Sequence, residues 1–168
     1  APFLRFDNDA YITLIDGELR WILDAYTTSS YYPYSERYLG ETFSDTHGGN
    51  AQFDSVGMMG INYIRNSVKV VINPYNGKMD FYIYDEDDAI IKVWDNIYPG
   101  LLKKKSEMPE EIRRHVRYPA DFLLVQGTVY AKYHMQDPEV FYNQEDLWVR
   151  ATEKYYNSVQ PVEPYYVL

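Results

Sequence analysis

Residues Gly60–Trp148 read GINYIRNSVKVVINPYNGKMDFYIYDEDDAIIKVWDNIYPGLLKKKSEMPEEIRRHVRYPADFLLVQGTVYAKYHMQDPEVFYNQEDLW, and their punctuation decides the fold. Ser67–Ile72 and Met79–Tyr84 are apolar runs around Pro74-Tyr75-Asn76-Gly77, the signal of a hairpin. Val68, Val70 and Ile72 fall on one face of their strand, and Phe81 and Ile83 share a face of theirs. Asp85-Glu86-Asp87-Asp88 then precedes Ile90, Val93, Trp94 and Ile97. Their i, i+3, i+4, i+7 spacing predicts an amphipathic helix. Carboxylates at its start suit the free N–H groups and the dipole, and Pro99-Gly100 ends it. Ser106–Glu111, with Pro109 beside acids, opens a short helix to about Val116. Pro119 begins a longer one, with Phe122, Gln126, Val129, Tyr130 and Tyr133 on one face. Asp137-Pro138 caps a further short helix, Glu139–Tyr142, and extended sequence resumes at Leu147.

Upstream, Tyr11–Ile15 and Glu18–Ala25 flank Asp16-Gly17, a two-residue hairpin signal. Tyr26–Met59 is a long surface excursion, rich in Gly, Ser, Thr and Asn, and within it residues 39–59 read as a flexible insertion. The order is hairpin, long loop, hairpin, helices, strand. That order predicts a single α+β domain over residues 1–168. Its antiparallel β-hairpins form a sheet, and a cluster of short to medium helices follows the second hairpin.

Composition narrows the function. Tyr supplies 19 of the aromatic residues, against seven Phe and three Trp. Tyr suits strands and half-buried surfaces, which is the favoured reading; the sharper one is a surface that binds sugars, peptides or a partner. The net charge of −9 argues against nucleic acid, which requires clustered Lys and Arg. Lys103-Lys104-Lys105 reads as a solvated loop. The absence of cysteine excludes disulfides, thiolate nucleophiles and Cys-based metal sites. No apolar run approaches the roughly 18 residues of a membrane span.

The chemistry-bearing residues form few patterns. His47, His115 and His134 lie too far apart in sequence for a local zinc pair. Asp85, Asp87 and Asp88 offer oxygens to a metal, but without the Asp-x-Asp-x-Asp-Gly spacing of a calcium loop. A helix N-cap accounts for the run fully and is the favoured reading. No metal or cofactor is called for. A pair of carboxylates acting on a polysaccharide is conceivable among 25 acids, and the sequence does not single one out. The candidate binding residues are Tyr31, Tyr32 and Tyr34 around Pro33, with Asn62 and Arg65 at the entrance of the second hairpin.

Several phrases together resemble a known family. They are Asp24-Ala25-Tyr26-Thr27, Tyr32-Pro33-Tyr34-Ser35-Glu36, Gly60–Lys69, Pro99-Gly100-Leu101, Ser106-Glu107-Met108-Pro109 and Arg117-Tyr118-Pro119. Tyr133-His134-Met135, Asp137–Asn143, Asp146-Leu147-Trp148 and Glu163-Pro164-Tyr165-Tyr166 follow in the same order. The chain resembles the uncharacterised protein family numbered 0182, bacterial multi-pass membrane proteins, with residues 39–59 departing from the pattern. The resemblance implies transmembrane helices earlier in a longer parent protein and continuation beyond Leu168. It implies that this span is an extracytoplasmic segment at the cell membrane. It carries no catalytic residues over. Both ends break off in apolar, strand-like sequence, as an excised piece would. The expected role is non-enzymatic binding, sensing or scaffolding, with a protein or polymer partner. The membrane would be reached through the parent's helices. The alternative is a hydrolase of cell-wall or extracellular polysaccharide.

Overall fold

The computed structural model describes residues 1–44, 50–53 and 56–167. In chain order the strands are β1 (Arg5–Phe6), β2 (Tyr11–Ile15), β3 (Glu18–Ser29), β4 (Glu41–Ser44), β5 (Asn50–Phe53), β6 (Tyr63–Ile72), β7 (Met79–Ile83), β8 (Leu102–Lys103), β9 (Thr152–Tyr155) and β10 (Ser158–Pro161). The helices are α1 (Ala89–Ile97), α2 (Glu110–Arg113), α3 (Ala120–Tyr133) and α4 (Pro138–Asn143). The fold is α+β. The chain divides into two compact units, one of residues 1–35 and 61–119, the other of residues 36–60 and 120–168.

In the first unit the sheet runs β1-β3-β6-β7-β8, with β2 also paired to β3. Both sequence-predicted hairpins form. Asp16 and Gly17 take φ of 51° and 78° between β2 and β3, the left-handed pair that a two-residue turn of matching twist requires. Asn73 to Lys78 link β6 to β7, with the Asn73 N–H donating to the Lys78 carbonyl at 2.9 Å. All pairs are antiparallel except β7 with β8, which α1 joins as a parallel crossover. At two residues, β8 is too short to read from sequence.

Both faces of this sheet are covered. Ala25, Val68, Val70 and Ile83 pack with Leu4, Leu102 and Ile91 of α1 on one side. Tyr11, Ile15, Ile22, Val71 and Tyr82 pack with Met108 and Ile112 of α2 on the other. Such burial contributes about 1.5–3 kcal/mol per large aliphatic side chain.

Covering both faces explains a buried ion pair. Asp24 and Lys69 face each other across β3 and β6, each 1% exposed. Lys69 Nζ donates to Asp24 and, at 3.2 Å, to the Arg117 carbonyl, and lies 4.9 Å from the Tyr84 ring centre. Asn66 Nδ2 donates to Asp24 Oδ1 at 3.0 Å, and Asp7 accepts from the Tyr26 hydroxyl. Burial pushes the Asp24 carboxyl up and the Lys69 ammonium down, and their mutual attraction opposes both shifts.

Two expectations shift. β3 continues to Ser29, because Thr27, Thr28 and Ser29 pair with Arg65, Ile64 and Tyr63. The inward side of α1 is not the Ile90, Val93, Trp94, Ile97 stripe: Ile91 is fully buried, while Val93 and Ile97 are 56% and 53% exposed. Trp94 stacks instead on Phe3, centroids 4.4 Å apart, beside Tyr98. Two apolar stripes were available, and the one adopted packs Ile91 on the sheet and Trp94 on Phe3.

The second unit holds the β4–β5 hairpin, α3, α4 and the β9–β10 hairpin. The expected flexible insertion at residues 39–59 contains β4 and β5. Its residues 45–49 and 54–55 lie outside the described residues. The Gly60 N–H donates to the Tyr38 carbonyl at 2.8 Å, pinning the two ends of this excursion together. Of the 14 residues of α3, only Asp121 and Val125 are buried.

The rotated helix gives a direct test. Ile91→Ala should cost about 2–5 kcal/mol in chemical denaturation, whereas Val93→Ala should stay within about 0.5 kcal/mol of the parent. Equal losses at the two positions would restore the stripe read from the sequence.

Candidate functional site

The candidate residues meet at one end of the sheet, where β3 ends and β6 begins. Their foundation is Asp88, which has no exposed surface. As N-cap of α1 its carboxylate accepts from the Ile90 and Ile91 N–H groups at 3.0 and 3.2 Å. It also accepts from the hydroxyls of Thr27 at 2.5 Å, Ser67 at 2.6 Å and Tyr63 at 2.5 Å. A β-bulge makes this possible. Ala25 pairs with Val68 but Thr27 with Arg65, so β6 carries one extra residue there. The bulge places the Ser67 and Thr27 hydroxyl oxygens 3.0 Å apart. Burial alone would raise the Asp88 carboxyl. The three hydroxyls and the helix N–H outweigh burial and hold it below the ordinary carboxylate value.

The tyrosine loop is built on this foundation. Asn62 Oδ1 accepts from the Tyr32 N–H at 3.0 Å, and its Nδ2 donates to the Tyr32 and Ser35 carbonyls at 2.8 and 3.2 Å. The Ser35 hydroxyl returns a bond to the Asn62 carbonyl at 3.2 Å. One amide side chain thus clips the loop by both edges of Tyr32. The Tyr32 ring stacks on Tyr63, centroids 5.5 Å apart, and Tyr63 reaches Asp88. Burial, then the neighbouring Asp88, pushes the Tyr63 hydroxyl up to about 12. Arg65 binds Asp85 at 3.2 Å. Above this frame Tyr31 and Tyr34 stand 91% and 109% exposed, and Tyr34 takes φ of 57° to turn the loop back. The structure brings Tyr31, Tyr32, Asn62 and Ser35 together. Arg65 joins them through Tyr63 and Asp85, not by touching the tyrosine loop.

The other candidates are placed as follows. Asp85 holds its own turn, accepting from the Asp87 N–H at 3.1 Å. Asp85, Asp87 and Asp88 therefore do not converge, and among the described residues no three acids or histidines form a metal cage. His115 and His134 each contact the carbonyl one turn back, Glu111 at 2.6 Å and Tyr130 at 3.1 Å. His134 also stacks on Trp148 at 3.9 Å and faces Asp146 at 3.4 Å. His47 lies outside the described residues. Lys103 binds Asp80 at 2.7 Å, and Lys105 sits 4.1 Å from the Tyr84 ring centre.

The second unit contains features that the sequence reading missed. Glu36 accepts from Lys132 at 2.9 Å and from the Tyr133 hydroxyl at 2.8 Å, which hold its carboxyl below the ordinary value. A groove of about 280 Å³ is lined by Leu123, Leu124, Gly127 and Ala131 of α3 and by Leu147–Arg150, with Glu41 at its end. Glu41 and Arg150 pair there at 2.5 Å. No periodicity announces this groove, because half of its wall is extended chain.

The model of the uncharacterised protein family UPF0182 matches residues 1–168. Similar proteins, each named only as a UPF0182 protein, come from Trichodesmium erythraeum, Pelotomaculum thermopropionicum and Desulforamulus reducens. They are 46%, 46% and 47% identical over the whole chain. The chain spans only 18%, 16% and 16% of the length of these relatives. No solved structure matches it.

Asp88 sets the acid limit of the first unit. Its folded-state pKa is depressed, so its contribution is complete above the ordinary value of 3.8 and is lost as pH falls through the folded value. Asp88→Ala should cost about 3 kcal/mol or more at neutral pH. That figure combines a lost cap with buried hydroxyls left unpaired. The variant should also flatten the fall of melting temperature below pH 4. An unchanged acid limb would remove Asp88 from this role.

Proposed function

We propose that this chain, which belongs to the uncharacterised protein family UPF0182, is a binding and scaffolding module rather than a hydrolase. The observation that carries the reading is the Tyr31–Ser35 loop. Its backbone is clipped by Asn62, while two of its rings stand in solvent. A rigid loop that presents aromatic rings loses little entropy when it binds, and the rings offer flat apolar area to a polymer or protein partner. The carboxylates beside it support binding over hydrolysis. Asp88 is enclosed and fully engaged, and Asp85 is bound to Arg65. A general acid needs a free, facing partner.

The proposal includes a place. This span is taken as an extracytoplasmic part of a multi-pass membrane protein. What supports it is the family resemblance in the sequence together with a net charge of −9, which limits adhesion to anionic lipid. No helix among the described residues is long and apolar enough to cross a membrane, so the membrane would be reached through other parts of the polypeptide.

Two experiments separate these claims. In co-sedimentation with insoluble cell-wall polysaccharide, Tyr31→Ala/Tyr34→Ala should lose about tenfold in retention with an unchanged melting temperature. Equal retention by the double variant would remove the tyrosines from the site. For the location, protease shaving of intact cells expressing the full-length protein, with a tag in the 39–59 segment, should cut the tag before lysis. Cutting only after lysis would place the module inside the cell.

A further inference from the structure

We propose that the outer edge of β2 takes up an extended segment of a partner protein as an added strand, one with alternating apolar residues between basic ends. β2 pairs with the first residues of β3, whereas the tyrosine loop follows the last. The two surfaces share no residue. Free sheet edges offer unpaired backbone groups to other chains, and folds blunt them with short strands, charges, prolines or bulges. β1 and β8 are two residues each. β2 is Tyr11-Ile12-Thr13-Leu14-Ile15, with no charge, proline or glycine. Among the described residues it pairs with β3 alone, in unbroken register.

The phase of the hairpin identifies which groups point outward. Asp16-Gly17 is a two-residue turn, so Ile15 and Glu18 exchange the first pair of hydrogen bonds, and the pairs Thr13 with Arg20 and Tyr11 with Ile22 follow. Ile12 and Leu14 therefore aim their N–H and C=O groups out of the edge. Leu19, opposite Leu14, has the matching phase: its N–H turns away from β2 to the Tyr75 hydroxyl at 3.4 Å. Backbone groups in this array are satisfied by another extended backbone, not by a helix or a sugar ring.

Side chains and charge narrow the occupant further. Tyr11 and Ile15 turn to the face that α2 covers. Ile12 and Leu14 turn to the other face, 47% and 63% exposed, beside Trp21 and Leu19. An added strand lays every second side chain along this row, and apolar ones fit it. Asp9, Asp16 and Glu18 are exposed at the ends of β2, and Arg20, opposite Thr13, is paired with Glu18. These acids disfavour a second copy. β2 paired antiparallel with itself about Thr13 would set Asp9 of one copy opposite Gly17 of the other, between Asp16 and Glu18. A strand with Lys or Arg at both ends meets opposite charge instead.

The test titrates the full-length protein into a fluorescein-labelled peptide, Lys-Val-Thr-Val-Thr-Val-Lys, and reads anisotropy. Binding should saturate at one peptide per chain with Kd below about 1 mM. The same peptide N-methylated at every Val and Thr keeps its charge but cannot pair as a strand, and should bind at least about tenfold more weakly. Glu in place of both Lys should also cost about tenfold. Leu14→Pro removes an outward N–H without breaking a bond to β3, and Leu14→Lys puts a charge on the edge. Each should weaken the peptide about tenfold, and Leu14→Lys decides the matter if Leu14→Pro fails to fold. No saturable binding, equal binding of the N-methylated or Glu-ended peptide, or equal binding by the Leu14→Lys protein would overturn the proposal. So would a disulfide between two copies carrying Thr13→Cys, which would give the edge to a second copy.

Discussion

The first unit depends on one carboxylate. Asp88 sits where β3, β6 and α1 meet, and it accepts hydrogen bonds from all three. Remove it, and the Thr27 and Ser67 hydroxyls lose their acceptor in a place where water does not reach, while α1 loses its cap. In α1 the Ile90 and Ile91 N–H groups both bond the carboxylate. Ile91 packs on the sheet, and Trp94 follows one turn later to stack on Phe3. The helix would be amphipathic in either of two rotations, and these two contacts mark the one it adopts.

A second buried polar cluster acts on the opposite face. Asp24 and Lys69 cost free energy to dehydrate, and a pair of this kind is weak evidence for stability in itself. What it supplies is register. Sliding β3 against β6 by one residue would drive Asp24 into the apolar layer around Ala25 and Val70 and leave Lys69 buried without its partner. The pair also reaches the connector that precedes α3. Lys69 holds the Arg117 carbonyl, and Tyr11 accepts the Arg117 N–H at 2.9 Å. The sheet thus carries a polar anchor on each face, one for α1 and one for the chain after α2.

These anchors mark the limit of what the sequence discloses. Asp16-Gly17 fixed its hairpin because few dipeptides tolerate two left-handed residues, and Asp137-Pro138 began its helix for similarly local reasons. Local signals of this kind were legible. The α1 stripe was misread because Ile90 and Ile91 are equally apolar and the deciding contact comes from strands more than 20 positions away in sequence. Lys69 was passed over because only the Val68, Val70 and Ile72 face of its strand was read as apolar. Val71, on the same side as Lys69, was the available sign that the second face is covered too. Asn62 was identified as a binding residue, yet its side chain is consumed in shaping the loop. The groove of the second unit is built from a helix and an extended segment, and no period spans both.

The two exposed tyrosines acquire meaning from what lies beneath them. Tyr32 rests on Tyr63, and Tyr63 donates to Asp88. Its hydroxyl is held at about 12 and the Asp88 carboxyl below its ordinary value, so donor and acceptor keep their protonation states from mildly acidic to strongly alkaline pH. The Asn62 clip involves no titrating group. The frame under Tyr31 and Tyr34 is therefore insensitive to pH over that range. A carboxylate locked in one form is suited to holding a surface in place. That fixed frame is the physical ground on which binding is proposed for the first unit.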